Sequence, residues 1–181
     1  MEIIETNLPG VLRLRPRRFA DERGWFMETW NEKNFQRLGL PTGFKQDNQS
    51  RSHKNVLRGL HYQIQQPQGK LIRVVQGKIF DVAVDIRRSS SAFGKWVGVE
   101  LDAETGDMLW IPAGFAHGFL VLSDTADVLY KATDFYCPPG ERTILWNDPA
   151  LHIAWPTNGA PLVSAKDAQG AMLDAAELPE S

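Results

Sequence analysis

The chain has 181 residues, 43% of them hydrophobic and 23% charged, with a formal net charge of −2. That length predicts a single domain, 1–181, able to bury about 70% of its unfolded surface without covalent staples, and the slight acidic excess excludes a general nucleic-acid binder. A lone cysteine, Cys137, excludes an internal disulfide, no run approaches the ~18 apolar residues of a membrane span, and the opening MEIIETNLPG lacks the apolar stretch of a secretory signal, so a cytoplasmic location is expected.

In chain order, RLRPRR (13–18) reads as an edge-strand face and turn rather than a binding patch. NEKNFQRLG (31–39) predicts a short helix, capped by Asn31 and stopped by Gly39. LIRVVQGKIFDVAVDI (71–86) holds two runs rich in β-branched residues, and Gly77-Lys78 between them suits a tight hairpin turn. The segments 96–112 and 117–136 repeat the strand pattern, with polar turn clusters at 102–107 and 123–127. SAKDAQGAMLDAAEL (164–178) predicts a second helix opening on a Ser-x-x-Asp capping box. Short strands without long intervening helices predict an all-β sandwich or barrel.

Within GDMLWIPAGFAHGFLVL (106–122), the residues Gly106, Pro112, Gly114 and His117 keep a spacing that resembles the second motif of the cupin superfamily. The first cupin motif ordinarily supplies two more histidines and a glutamate to a metal. The corresponding stretch here is GLHYQIQQPQGKLIRVVQG (59–77), where His61 stands at the first ligand position, Gln63 at the second and Lys70 at the place of the glutamate. An ammonium has no lone pair to give, and an amide is a poor substitute for imidazole or carboxylate; His53 and His152, the other histidines, lie outside the spacing. No metal and no other cofactor is expected. The pocket instead holds a base and a cation. A neutral imidazole accepts protons near pH 7, and an ammonium beside it stabilises the enolate left when a proton departs next to a carbonyl.

DERGWFMETW, QDNQSRS, NVLRGLHYQ, QGKL, FDVAVDIR, WIPAGFAHGF, LYKATDFY, ILWNDP and SAKD together resemble the dTDP-4-dehydrorhamnose 3,5-epimerase family, in order, from residue 1 to about 175. The resemblance implies a cupin-type jelly-roll β-barrel with a few short peripheral helices and a homodimer to which the N-terminal segment, about 1–30, contributes. It also implies cofactor-free conversion of dTDP-4-dehydro-6-deoxy-D-glucose to dTDP-4-dehydro-L-rhamnose. On the matching positions, His61 is the catalytic base and Asp167 the carboxylate that orients it, against a competing reading of Asp167 as part of the helix cap. Tyr130 is the acid on the opposite face, against a packed strand tyrosine, and Lys70 the group near the C4 oxygen, against an exposed turn lysine. Substrate contacts fall on Arg23, Phe26, Glu28, Gln46, Asp47, Asn48, Arg58, Glu141 and Lys166, with Tyr136 as the ring that stacks on thymine. His117 is a pocket group, with a core histidine as its rival. The alternatives are a relative that inverts one centre or isomerises the keto sugar, a metal-dependent cupin oxygenase and a non-catalytic sugar-nucleotide binding module.

Overall fold

The structure is a computed structural model that describes residues 1–179. In chain order its elements are β1 (Glu2–Glu5), β2 (Leu12–Arg15), β3 (Arg18–Asp21), β4 (Gly24–Met27), α1 (Glu32–Arg37), β5 (Gln46–His53), β6 (Leu57–Gln63), β7 (Lys70–Gln76), β8 (Lys78–Asp85), β9 (Trp96–Asp102), β10 (Met108–Ile111), β11 (Phe115–Val121), β12 (Thr125–Ala132), β13 (Glu141–Thr143) and α2 (Ala165–Ala168). Two antiparallel sheets face each other, one in the order β1-β2-β10-β7-β12-β5 and the other β13-β6-β11-β8-β9, while β3 and β4 form a separate hairpin. This is the expected all-β, cupin-like jelly roll.

Alternation along the strands places the core. Ile72, Val74, Leu109, Ile111 and Val128 point inward from the six-stranded sheet against Ile79, Ala83, Leu101, Phe119 and Val121 of the five-stranded sheet. The outer faces are covered as well. Leu71, Met108 and Trp110 lie under Phe35 of α1 and Leu40, and Leu60, Tyr62, Val82 and Val84 lie under Ile144, Leu151, Leu173 and Ala176. Burial on both faces explains the near-continuous apolar runs of 71–86, since each fully buried aliphatic side chain contributes about 1.5–3 kcal/mol.

Three sequence expectations are corrected. Gly77-Lys78 is not a hairpin turn: β7 pairs with β10 and β12, whereas β8 pairs with β11 and β9, so the chain crosses here from one sheet to the other. Gly77 has φ +75, and a Cβ on it would lie 2.0 Å from the carbonyl oxygen of Thr125; the corner turns where only glycine fits. The helix expected over 164–178 is a single turn, Ala165–Ala168. Beyond it the chain pairs with the β13 side of the sheet, Ala171 N–H donating to Thr143 C=O and Leu145 N–H to Ala171 C=O. Lastly, β2 is not an edge strand, because β1 lies outside it, and Arg13 and Arg15 both bind the buried Asp107, at 2.6 and 2.9 Å. The helix expected at 31–39 forms as α1, with the Asn31 side chain accepting from Asn34 N–H.

Candidate active site

The site is built on the seam between β6 and β11. Gly59 has φ +123, and a Cβ there would stand 2.5 Å from Gly118 Cα, so the two strands meet at a distance only glycines permit. Their register sets His61 directly opposite His117, and Thr143 of β13 lies opposite His61 on the other side. His61 and His117 alternate with Leu60, Tyr62 and Ala116 of the outer cluster, so both imidazoles face the interior.

Each imidazole has a carboxylate. His61 Nε2 lies 2.7 Å from Asp167 Oδ1, and Asp167 Oδ2 accepts from the Gly59 backbone N–H at 3.2 Å. An ionised carboxylate can only accept, so in this contact Nε2 is the donor and Nδ1 is left as the candidate base. The two readings of Asp167 are both realised. Its backbone N–H is capped by Ser164 Oγ at 3.1 Å, while its carboxylate turns to the imidazole. Burial alone would raise the Asp167 pKa, but the bonds to His61, Gly59 and Ser164 outweigh it and hold the carboxyl below its usual range. His117 Nε2 is 3.0 Å from both Asp81 Oδ1 and Oδ2. Here burial dominates and raises Asp81, with His117 and Lys70 opposing.

Across the interior, Lys70 and Tyr130 project from the six-stranded sheet, in register with Ile111 and Ile72 respectively. Burial pushes Lys70 down to about 8, against the pull of Asp81 and Glu141. Burial also raises Tyr130, Glu141 adding to the rise and Arg58 opposing it, so the phenol keeps its proton through neutral pH. Glu141 joins the groups at the mouth: its Oε2 accepts from Tyr136 Oη at 2.7 Å and pairs with Lys166 Nζ at 2.5 Å. Burial raises Glu141, but Lys166, Tyr136 and His61 together bring it below its ordinary value. Arg58, His61, Lys166 and Asp167 line one cleft of about 370 Å³.

The remaining expected residues divide. Gln46 and Asn48 face inward from β5, joined by Gln46 Nε2–H donating to Asn48 Oδ1 at 2.9 Å, and Arg58 donates to Ser52 Oγ at 3.0 Å. Asp47 faces the other way and pairs with Lys131 at 3.0 Å, because a strand turns successive side chains to opposite faces. Arg23 and Phe26 sit on the β3–β4 hairpin, Arg23 bound to Asp21, and Glu28 accepts from Asn31 and Asn34; the structure does not bring these three to the His61 cluster within one chain. Two participants escaped the sequence reading. Asp81 lies inside FDVAVDIR, and its signal was an acid on the same inward register as Ile79 and Ala83. Gln63, at the second cupin ligand position, is a buried amide with backbone partners of its own.

A jelly-roll interior that sets an oriented imidazole in one sheet against a lysine and a phenol in the other has the equipment of a proton-transfer isomerase. Comparison with known proteins agrees. A model of the family described as dTDP-4-dehydrorhamnose 3,5-epimerase matches residues 5–175. The dTDP-4-dehydrorhamnose 3,5-epimerase of Pseudomonas aeruginosa is 56% identical over 171 residues, 94% of each chain. The crystal structure of dTDP-6-deoxy-D-glucose-3,5-epimerase from Legionella pneumophila, in complex with dTDP-4-keto-L-rhamnose, superposes with a TM-score of 0.96 at 48% identity, covering 99% of this chain and 98% of that one. A 3′-monoepimerase from Streptomyces bikiniensis, in complex with dTDP-quinovose, reaches a TM-score of 0.90 at 35% identity, covering 97% and 91%. The protein is therefore an isomerase of the carbohydrate-epimerase class. The chain belongs to the dTDP-4-dehydrorhamnose 3,5-epimerase family.

Proposed function

We propose that the protein converts dTDP-4-dehydro-6-deoxy-D-glucose to dTDP-4-dehydro-L-rhamnose by inverting C5 and C3 without a metal or other cofactor. The observation that carries this reading is the 2.7 Å contact of His61 with Asp167, facing Tyr130 across the barrel. The carbons flanking the C4 ketone bear acidic hydrogens. His61 Nδ1 takes one as a proton, the electron pair moves to the C4 oxygen, and the Lys70 ammonium stabilises the enolate there. Tyr130 returns a proton from the other face, which inverts the centre; once His61 has released its proton to solvent and the Tyr130 phenolate has taken one back, the same steps at the second carbon complete the reaction. Support for metal independence comes from the donor set. At two cupin ligand positions stand an amide occupied by backbone groups and an ammonium, neither of which fits a divalent ion.

Tyr136 stacks on thymine at the mouth of the barrel, and Arg58, Glu141 and Lys166 contact the substrate with Gln46, Asn48 and His117. The protein works as a homodimer in the cytoplasm. The hairpin supports the dimer: Phe19, Trp25 and Phe26 are exposed there, and residues 1–30 carry Arg23, Phe26 and Glu28 to the partner's site. Mixing the inactive variants Arg23→Ala and His61→Asn tests this, since shared sites restore activity in mixed dimers and self-contained sites do not.

Turnover in D₂O tests the chemistry. Deuterium at both C3 and C5 of the product is expected. Label at one carbon makes the protein a single-centre epimerase, and activity that tracks a stoichiometric metal overturns the cofactor-free reading.

A further inference from the structure

Gln63 sits on the inner face of β6 two residues past His61 and opposite Glu141 of β13. Its side chain is buried and grips the segment that carries Tyr136. Oε1 accepts from Cys137 N–H at 3.0 Å, while Nε2 donates to the carbonyls of Gln66 at 2.7 Å and Phe135 at 3.2 Å. From the facing sheet, Gln46 Oε1 accepts from Tyr136 N–H at 2.8 Å. The peptide unit between Phe135 and Tyr136 is thus held at both its carbonyl and its N–H, and the next unit is held at its N–H. Two fixed peptide planes on either side of one Cα fix φ and ψ there and so aim the Cβ. The ring then needs one more anchor, and the bond from Tyr136 Oη to Glu141 supplies it.

The chemistry of the clamp requires an amide. Only Asn and Gln offer two donors and an acceptor on one planar group; a carboxylate would face two carbonyls with no hydrogen to give. We propose that Gln63 is a positioning residue for nucleobase recognition, clasping residues 135–137 so that the half-exposed Tyr136 ring stands ready as a platform for a pyrimidine. The inference rests on Tyr136 being the stacking ring. It assigns a use to a position where a cupin ordinarily places a metal ligand: the same inward-facing residue that would ligate a metal instead orders the loop over the substrate's base. A loop ordered beforehand binds more tightly because its freedom is already lost.

The test measures dTDP and pyrophosphate affinity by calorimetry, with kcat, KM and melting temperature, for full-length Gln63→Met, Gln63→Glu, Tyr136→Ala and the double variant Gln63→Met/Tyr136→Ala. Stacking on an aromatic ring sets the scale: Tyr136→Ala should weaken dTDP roughly 10–100-fold. Gln63→Met, close in shape but without hydrogen bonds, should weaken dTDP and raise KM about tenfold on the same scale. Its kcat should stay within about twofold, with pyrophosphate affinity unchanged. The double variant should bind no more weakly than Tyr136→Ala, because Gln63 acts through the ring. Losses that add in full, or a fall in kcat at unchanged KM, overturn the clamp. Gln63→Glu decides if the methionine variant does not fold: wild-type dTDP affinity in it overturns the clamp, and a loss confined to dTDP supports it. If Tyr136→Ala binds dTDP as wild type does, stacking itself is wrong, a failure distinct from that of the clamp.

Discussion

The barrel holds two histidine–carboxylate pairs on paired strands, and they differ in almost everything except chemistry. His61 shows 31% of its side chain to solvent and leans on Asp167, whose second oxygen is tied to a backbone N–H. His117 shows 9% and lies symmetrically against Asp81, which is fully buried. Donors hold one carboxyl below its usual range, while desolvation lifts the other above it. Under the proposed mechanism, burial and hydrogen bonding rather than residue type decide which pair can take a proton from a ligand: the accessible imidazole with the ionised partner is the proposed base, and the enclosed one a fixed polar wall.

The contrast breaks most readily at the base. His61→Asn should lower kcat at least ~10³-fold, within the range a positioned general base contributes, with dTDP affinity near wild type; His117→Asn should cost about tenfold. Equal losses in steady-state assays would show that the two imidazoles share the work. Asp167→Asn should follow, reducing kcat roughly 10²–10⁴-fold, because an amide that donates to Nε2 holds the wrong tautomer. Restored turnover in Asp167→Glu would tie the effect to the carboxylate rather than to the helix cap, which Ser164 makes to the backbone N–H and the substitution leaves in place.

The sequence carried the inward-facing cast of this site unequally. His61, Lys70, Tyr130 and Asp167 were legible through motif order, and the strands through their β-branched runs. Sheet assignment was not legible. The corner at Gly77 and a hairpin turn draw on the same residue types, and only pairing across the barrel distinguishes them. The C-terminal helix was over-read because the Ser164 cap is real, but pairing of Ala171 with β13 outweighs the helix propensity of the alanines that follow. Asp81 stayed hidden because its meaning depends on His117, which is 36 residues away in the chain and 3.0 Å away in space.

The third test uses Lys70, which lies in the sheet facing both histidines. At its value of about 8 half of the ammonium is lost, so the charged form predominates below that pH and disappears above it. The profile of kcat/KM should therefore bend downward near pH 8 and steepen to about tenfold per unit well beyond it. Lys70→Ala should lower the plateau roughly 10²–10³-fold, the usual cost of an oxyanion donor, and erase that limb, whereas Lys70→Arg should keep charge at high pH and carry activity past it. A limb that survives in Lys70→Ala would assign it to another group.

The smallest effect separates the carboxylates most sharply. Asp81 raises Lys70 towards its ordinary value by proximity, and it touches no group that must give up or accept a proton. Asp81→Asn removes that charge without changing the shape of the barrel wall. Lys70 then falls further below about 8, and the alkaline limb moves to lower pH while the plateau drops only a few-fold. Asp167→Asn should do the reverse, lowering the plateau and leaving the limb in place. If Asp81→Asn instead lowers the plateau as Asp167→Asn does, with the limb unmoved, the buried pair acts on the reacting carbon after all, and the distinction drawn from burial fails.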